Sequence, residues 1–339
     1  MPIVDVHAHL AVFEAEALLA DHPGLQRQQA VDLATMGAAS NEYNQRAFSD
    51  LFPRLTDVEV RLAQMDASSV DVQTVSAMPT QRHWLEERLA VRYHRALNDG
   101  VAQHCAAAPE RLRMIASVPY QHPAAAADEL TRAVEQLGAI GVQILTHAGP
   151  DFELDDRRLD SLWERAVELD VPVLIHPWGC TLGARLDIGY LFNHVGNPTE
   201  TSLALSRLIF GGVFDRIPAL RVWAAHGGGW LPSYSGRADH AWKQRADART
   251  CASKPSDYLR DRVWVDGLVY TPHALRFLVE SVGAAHVTVG TDYPFDMGIT
   301  DPLERIAAAG LSVDDFHATT EHSARLLFGN RLTANGARR

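Results

Sequence analysis

Cysteine is scarce in this chain: three thiols in 339 residues, Cys105, Cys180 and Cys251, widely spaced and with no Cys-x-x-Cys pair. That excludes a disulfide-stapled scaffold and a thiolate metal cluster, and it suits a reducing compartment. Apolar runs are all shorter than the roughly 18 residues that a membrane-spanning helix needs. Positive charge is short as well: 31 Lys and Arg stand against 42 Asp and Glu, a net charge of -11. A surface of that sign repels phosphate backbones and argues against nucleic acid as a partner. From Met1-Pro2 the chain enters an apolar strand with no basic segment, hydrophobic stretch or cleavage site, so a cytoplasmic location is expected. Linkers, repeats and low-complexity tracts are also missing. One domain is therefore expected over residues 1–330, with 331–339 as a tail.

What is present is an alternation of short apolar runs with longer amphipathic stretches, the pattern of repeated βα units. Strands are expected at 3–9, 70–77, 114–118, 141–145, 171–176, 221–225, 263–266 and 287–291. Eight parallel strands are the number a closed (β/α)8 TIM barrel requires. Among the helices, Thr56-Asp-Val-Glu59 reads as a capping box opening a helix to Met65, and helical periodicity covers 86–107 and 124–137. Two stretches exceed a simple βα loop: about 11–55 after strand 1, and 178–200 after strand 5. Lengths of that kind belong to lids and binding loops.

Five side chains that ligate metals or move protons close apolar runs: His7 and His9 in Val4-Asp-Val-His-Ala-His9, His176 after Val171-Pro-Val-Leu-Ile, His226 after Arg221-Val-Trp-Ala-Ala, and Asp292 in Gly290-Thr-Asp. In a parallel barrel the C-terminal strand ends converge on one rim. Alternate residues of a strand share a face, so His7 and His9 can grip one ion. Taken singly, each has a blander reading: a satisfied core histidine for His176, a flexible turn for His226-Gly-Gly-Gly229, a helix N-cap for Asp292. Together they point to a metal centre with an acid/base beside it.

The segments Val4-Asp-Val-His-Ala-His9, Arg61-x-x-x-Met-Asp66 with Val70-Asp-Val-Gln73, Ile175-His-Pro-Trp178, His226-Gly-Gly-Gly229, Gly236-Arg-x-Asp-x-Ala-Trp242 and Gly290-Thr-Asp-Tyr-Pro-Phe295 resemble the amidohydrolase superfamily, in its aminocarboxymuconate-semialdehyde decarboxylase branch. The resemblance implies that His7, His9, His176 and Asp292 hold one divalent ion, zinc or alternatively manganese, and that His226 is the acid/base beside a water on that ion. Binuclear relatives use a lysine of the fourth strand, where this chain has Gln143, so one ion is expected. The resemblance also implies a nonoxidative decarboxylase of a conjugated or aromatic carboxylic acid, with a hydrolase or hydratase as the alternative. His226 or Asp292 would return the proton. Arg237 and Arg245 are implied to bind substrate carboxylate across the interface of a homodimer or higher homo-oligomer, with pairing to surface acids on a helix as the alternative, and either Arg46 or Arg54 of the early insertion to reach over the substrate. Trp178, Tyr190, Phe192, Trp230 and Tyr293 are candidate walls for a flat acid, although core packing is the commoner role for any one of them.

Overall fold

Valine-rich runs with both faces buried form parallel strands in the computed structural model, which describes residues 2–332. In chain order the strands are β1 (Val4–Asp5), β2 (His9–Leu10), β3 (Val72–Ala77), β4 (Leu112–Ser117), β5 (Gly141–Ile144), β6 (Val173–Ile175), β7 (Val222–Ala224), β8 (Val263–Asp266) and β9 (Val287–Thr288). Each pairs in parallel with the next along the order β1-β3-β4-β5-β6-β7-β8-β9, and β2 also pairs with β3. Bridges Asp5↔Val289 and Ala8↔Tyr293 close the circle. These are eight staves of a (β/α)8 barrel wrapped in helices, with the first stave in two pieces.

The break in that stave corrects the expected continuous strand over 3–9. Val4 stands opposite Val72, yet His9 stands opposite Ser76. Three residues, Val6 to Ala8, therefore face two on the partner strand, the one-residue excess of a β-bulge, which re-aims side chains next to a site. His7 sits in the bulge.

The early insertion is helical, with Phe13–Ala17, Pro23–Met36 and Ala38–Thr56 laid over the C-terminal rim. Thr56 does not cap the next helix. It ends Ala38–Thr56, its hydroxyl donating to Phe52 O (2.9 Å), while Asp57 caps Val58–Ala67 by accepting from the N–H of Glu59 (2.8 Å) and Val60 (3.3 Å). Helices Glu87–Ala106 and Pro123–Gln136 match their expected positions to within a residue at each end. The stretch after β6 folds into the short turns Gly183–Leu186 and Phe192–Gly196. Met36, Cys180, Leu186 and Phe192 pack it against the early insertion.

The opposite end is plugged by Val4, Val6, Ile115, Leu174, Trp223 and Trp264 against Leu327 and Phe328 of the C-terminal helix Ser323–Phe328. Arg331 and Leu332, assigned to a tail by sequence, belong to this body: the Arg331 guanidinium donates to Leu169 O (2.5 Å), and Leu332 O accepts from Arg113 (3.0 Å). The rest of the expected tail, 333–339, lies outside the described residues. No helix among the described residues is long and apolar enough to cross a membrane.

Candidate metal centre

His7, His9, His176 and Asp292 are all buried and offer ligand atoms that lie within 4.8 Å of one another. Their outward atoms are tied down. His7 Nδ1 is 2.7 Å from Asp266 Oδ2, His9 Nδ1 is 3.1 Å from Ser76 Oγ, and His176 Nδ1 is 2.8 Å from Pro177 O. Each of these contacts fixes a ring orientation that leaves Nε2 facing the centre. The inward atoms are left in want of a cation: His176 Nε2 and Asp292 Oδ1 are buried without a hydrogen-bond partner, and His7 Nε2 stands 3.1 Å from His9 Nε2. Asp292 Oδ1 is 3.4 Å from His7 Nε2 and 3.3 Å from His9 Nε2. Three nitrogens and one oxygen around one point suit zinc or manganese, so the residues fit the implied ion.

The electrostatics favour positive charge at that point. Burial disfavours a charged His7, but the carboxylates of Asp292 and Asp266 overcome it and raise the imidazole to about 9. Burial pushes His9 down to about 4, and burial with three neighbouring imidazoles holds His176 well below the usual histidine range. Against the opposing effect of burial, His7, His226 and His9 keep Asp292 ionised far below the usual carboxylate range.

His226 stands beside this cup, its Nε2 3.3 Å from Asp292 Oδ2. Its backbone N–H and that of Gly227 each donate to Asp266, at 2.9 Å. The glycine run Gly227-Gly-Gly229 follows it. It folds back onto the helix Asn197–Phe210, where a Cβ on Gly229 (φ +67°) would meet Pro198 O at 2.3 Å.

Above the cup opens a cavity of about 400 Å³, with His176, His226 and Asp292 among its lining. Asn44, Ala47, Leu51 and Arg54 of the helix Ala38–Thr56 roof it with helical spacing, and Trp178, Tyr190 and Phe295 wall it. Of the two early arginines, Arg54 lines the cavity with its guanidinium 5.5 Å from the centre of the Tyr293 ring. Arg46 does not: its side chain is 73% exposed and pairs with Glu42. Arg237 and Arg245 lie on the outer surface, Arg245 paired with Asp247 at 2.6 Å, and neither lines this chain's own cavity. Phe192 is core against Trp178, Trp230 is 43% exposed, and Tyr293 lies buried beneath Arg54.

Sequence reasoning gave no role to Asp266, although Val263-Trp-Val-Asp266 closes an apolar run just as the named ligands do. It also passed over Asp5, which accepts from His7 N (3.0 Å), Gln73 Nε2 (2.8 Å), Thr291 N (3.0 Å) and Thr291 Oγ1 (2.6 Å).

The family model described as "Amidohydrolase" matches residues 4–330. A 2-amino-3-carboxymuconate-6-semialdehyde decarboxylase of Dictyostelium discoideum is 36% identical over 288 residues, 84% of this chain and 78% of that protein. A gamma-resorcylate decarboxylase of Rhodococcus jostii (strain RHA1) is 32% identical over 301 residues, 83% and 90% of the two chains. The structure of 5-carboxyvanillate decarboxylase from Novosphingobium aromaticivorans, complexed with manganese and 4-hydroxy-3-methoxy-5-nitrobenzoic acid, superposes with a TM-score of 0.81 at 25% identity, covering 97% of this chain and 96% of that one. With the family model spanning nearly the whole chain and a buried His/Asp group that could hold a metal at the barrel rim, this protein belongs to the amidohydrolase family.

Proposed function

We propose that this protein catalyses the nonoxidative, metal-dependent decarboxylation of a conjugated or aromatic carboxylic acid. The observation that carries the reading is one cavity that has a three-histidine, one-aspartate cup and His226 at its floor, aromatic walls, and, among the described residues, a single arginine, Arg54, in its lining. Decarboxylase relatives at 36% and 32% identity support it.

His7, His9, His176 and Asp292 would hold one divalent ion, for which we favour zinc over manganese because three imidazoles and a carboxylate satisfy its tetrahedral preference. When bound, the ion supplies Lewis acidity. Gln143, at the lysine position of binuclear relatives, is engaged through its amide N–H to Ala77 O (2.9 Å), which supports a single ion. The Arg54 guanidinium neutralises a substrate carboxylate and can hold it in two parallel hydrogen bonds. Trp178 and Phe295 keep a planar acid flat between them. Loss of CO2 breaks one carbon–carbon bond and leaves the electron pair on the substrate carbon, which then needs a proton. His226 Nε2 and Asp292 Oδ2, 3.3 Å apart, hold such a proton at the cavity floor, and His226, the more exposed of the two, is placed to hand it on.

We further assign Arg237 and Arg245 to the cavity of a second copy in a homodimer, a role supported by the exposure of both and by the place of Arg237 in the family-like segment Gly236-Arg-x-Asp-x-Ala-Trp242. The three buried free thiols support a reducing, cytoplasmic setting.

The test is a screen of metal-reconstituted enzyme against muconate-type and hydroxylated aromatic acids, following both ultraviolet absorbance and evolved CO2. Decarboxylation predicts one CO2 per substrate consumed. Turnover that gives a hydrated or hydrolysed product and no CO2 would overturn the reading in favour of a hydratase or hydrolase.

A further inference from the structure

Beneath the cup lies a guanidinium that plays no part in the chemistry above. Arg61, on the helix Val58–Ala67, is 0% exposed, and no carboxylate among the described residues forms an ion pair with it. Desolvating a cation without a directly paired anion is expensive, so its contacts carry the argument. Nη2 donates to His9 O (2.5 Å), Nη1 to Gln73 Oε1 (2.7 Å) and Nε to His104 Nε2 (3.1 Å), and the guanidinium carbon lies 4.7 Å from the centre of the Tyr293 ring. Burial lowers this side chain only to about 10, so it remains a cation at neutral pH.

Three of these four contacts lead to segments that carry the proposed ligands; the fourth, His104, belongs to the helix Glu87–Ala106. His9 O belongs to a ligand. Gln73 passes the bridge on, its amide nitrogen donating to Asp5 Oδ2 (2.8 Å), and Asp5 in turn accepts from His7 N and from both the N–H and hydroxyl of Thr291. Tyr293 follows Asp292. The bulged first stave and the segment 291–293 are the two ends of the barrel that must meet for the ring to close, and neither has long strand pairing there to hold it. An Arg61–Gln73–Asp5 bridge joins them under the cup.

We propose that Arg61 is a positioning residue for the metal centre: through His9 O and the Gln73–Asp5 bridge it fixes the relative placement of His7, His9 and Asp292, and so sets the affinity for the ion. His176 stands outside the bridge, its ring oriented by Pro177 O. This inference rests on the metal-binding part of the proposed function.

The test is metal affinity measured without turnover: metal-free protein titrated with Zn²⁺ against a chromophoric chelator, alongside the visible spectrum of the Co²⁺-substituted protein. Arg61→Lys keeps the charge and loses the fork, Arg61→Met removes both, and Gln73→Leu cuts the bridge while leaving the other Arg61 contacts. Removing an outer-shell partner typically weakens metal binding by 10- to 100-fold. A loss of about that size is expected for Arg61→Met and Gln73→Leu, with Arg61→Lys between them and wild type, and with an altered Co²⁺ spectrum. Thermal melts identify which variants fold, and Arg61→Lys, the gentlest change, decides the matter if the others do not. Folded variants with wild-type Zn²⁺ affinity and an unchanged Co²⁺ spectrum, showing only a lower melting temperature, would overturn the inference. Wild-type protein that binds no ion would instead overturn the metal reading beneath it.

Discussion

His226 and Asp292 both hold φ near +56°, a left-handed backbone that costs a non-glycine residue about 1–3 kcal/mol. The Asp266 carboxylate, receiving two backbone N–H groups at 2.9 Å, holds His226 there, and a bond from Asp292 N to His7 O (2.9 Å) holds Asp292. Such strain is worth keeping where a side chain must be aimed. Replacing His226 with alanine leaves all four ligands in place, so metal content by elemental analysis should match wild type while turnover falls about 10²–10⁴-fold, the usual cost of a lost acid/base group. Arg54→Met should raise KM for a carboxylate substrate by at least tenfold, and Arg46→Met should leave steady-state kinetics unchanged, since of the two Arg54 alone lines the cavity. At this scale the clustering of His7, His9, His176 and Asp292 was legible because each ends an apolar run, a signal that survives without any knowledge of neighbours. The choice between Arg46 and Arg54 was not, because both sit on one helix and only its rotation about its own axis separates them.

The helix Ala38–Thr56 is the element that turns an open barrel rim into a cavity. It begins at Gly37, whose φ of +79° no β-carbon tolerates comfortably and where a Cβ would meet Asp187 O at 2.0 Å. Gly37 thus fixes the turn from Pro23–Met36 and presses it against the stretch after β6. Gly37→Ala should loosen this roof before the barrel. Limited proteolysis within 11–57 should quicken and KM should rise, while unfolding by urea shifts by about 1–2 kcal/mol, more than the ordinary glycine penalty because backbone must also move. Equal proteolysis of variant and wild type would remove this role. The insertion was legible as a lid by length but not as helices: Pro23–Met36 buries Gly24, Gln28, Thr35 and Met36, two of them polar, so its apolar period is faint. Thr56 was read as a cap for a related reason. Thr56 and Asp57 both suit that position, and the end of the preceding helix decided between them.

Across the molecule, buried neutral histidines make stability sensitive to acid. Burial, with the charges of Arg82 and His122, pushes His94 down to about 3, and its Nδ1 is held 2.9 Å from Ser117 Oγ. Between that value and the ordinary 6.5 the unfolded chain binds a proton that the native state refuses. This contribution is therefore complete above pH 6.5 and declines by about 1.4 kcal/mol per pH unit as pH falls toward 3. Urea unfolding at pH 7 and pH 5 should show the decline, and His94→Asn should flatten it even though the variant starts less stable. A slope that the substitution leaves unchanged would move the effect to other groups.

The sequence by itself determined the stave count and the residues that cluster at the rim, because periodic apolar runs and the residues that end them are local properties, and it carried the family through the motifs it shares with that family, independent of how the chain later packs. Tertiary structure decided what depends on contacts between distant segments: a one-residue bulge that seats His7, the Arg61–Gln73–Asp5 bridge across the barrel seam, Asp266 behind both His7 and His226, and Arg54 rather than Arg46 at the cavity. Those features need partners as many as 286 positions apart, as Asp5 and Thr291 are, and no local pattern encodes such a meeting.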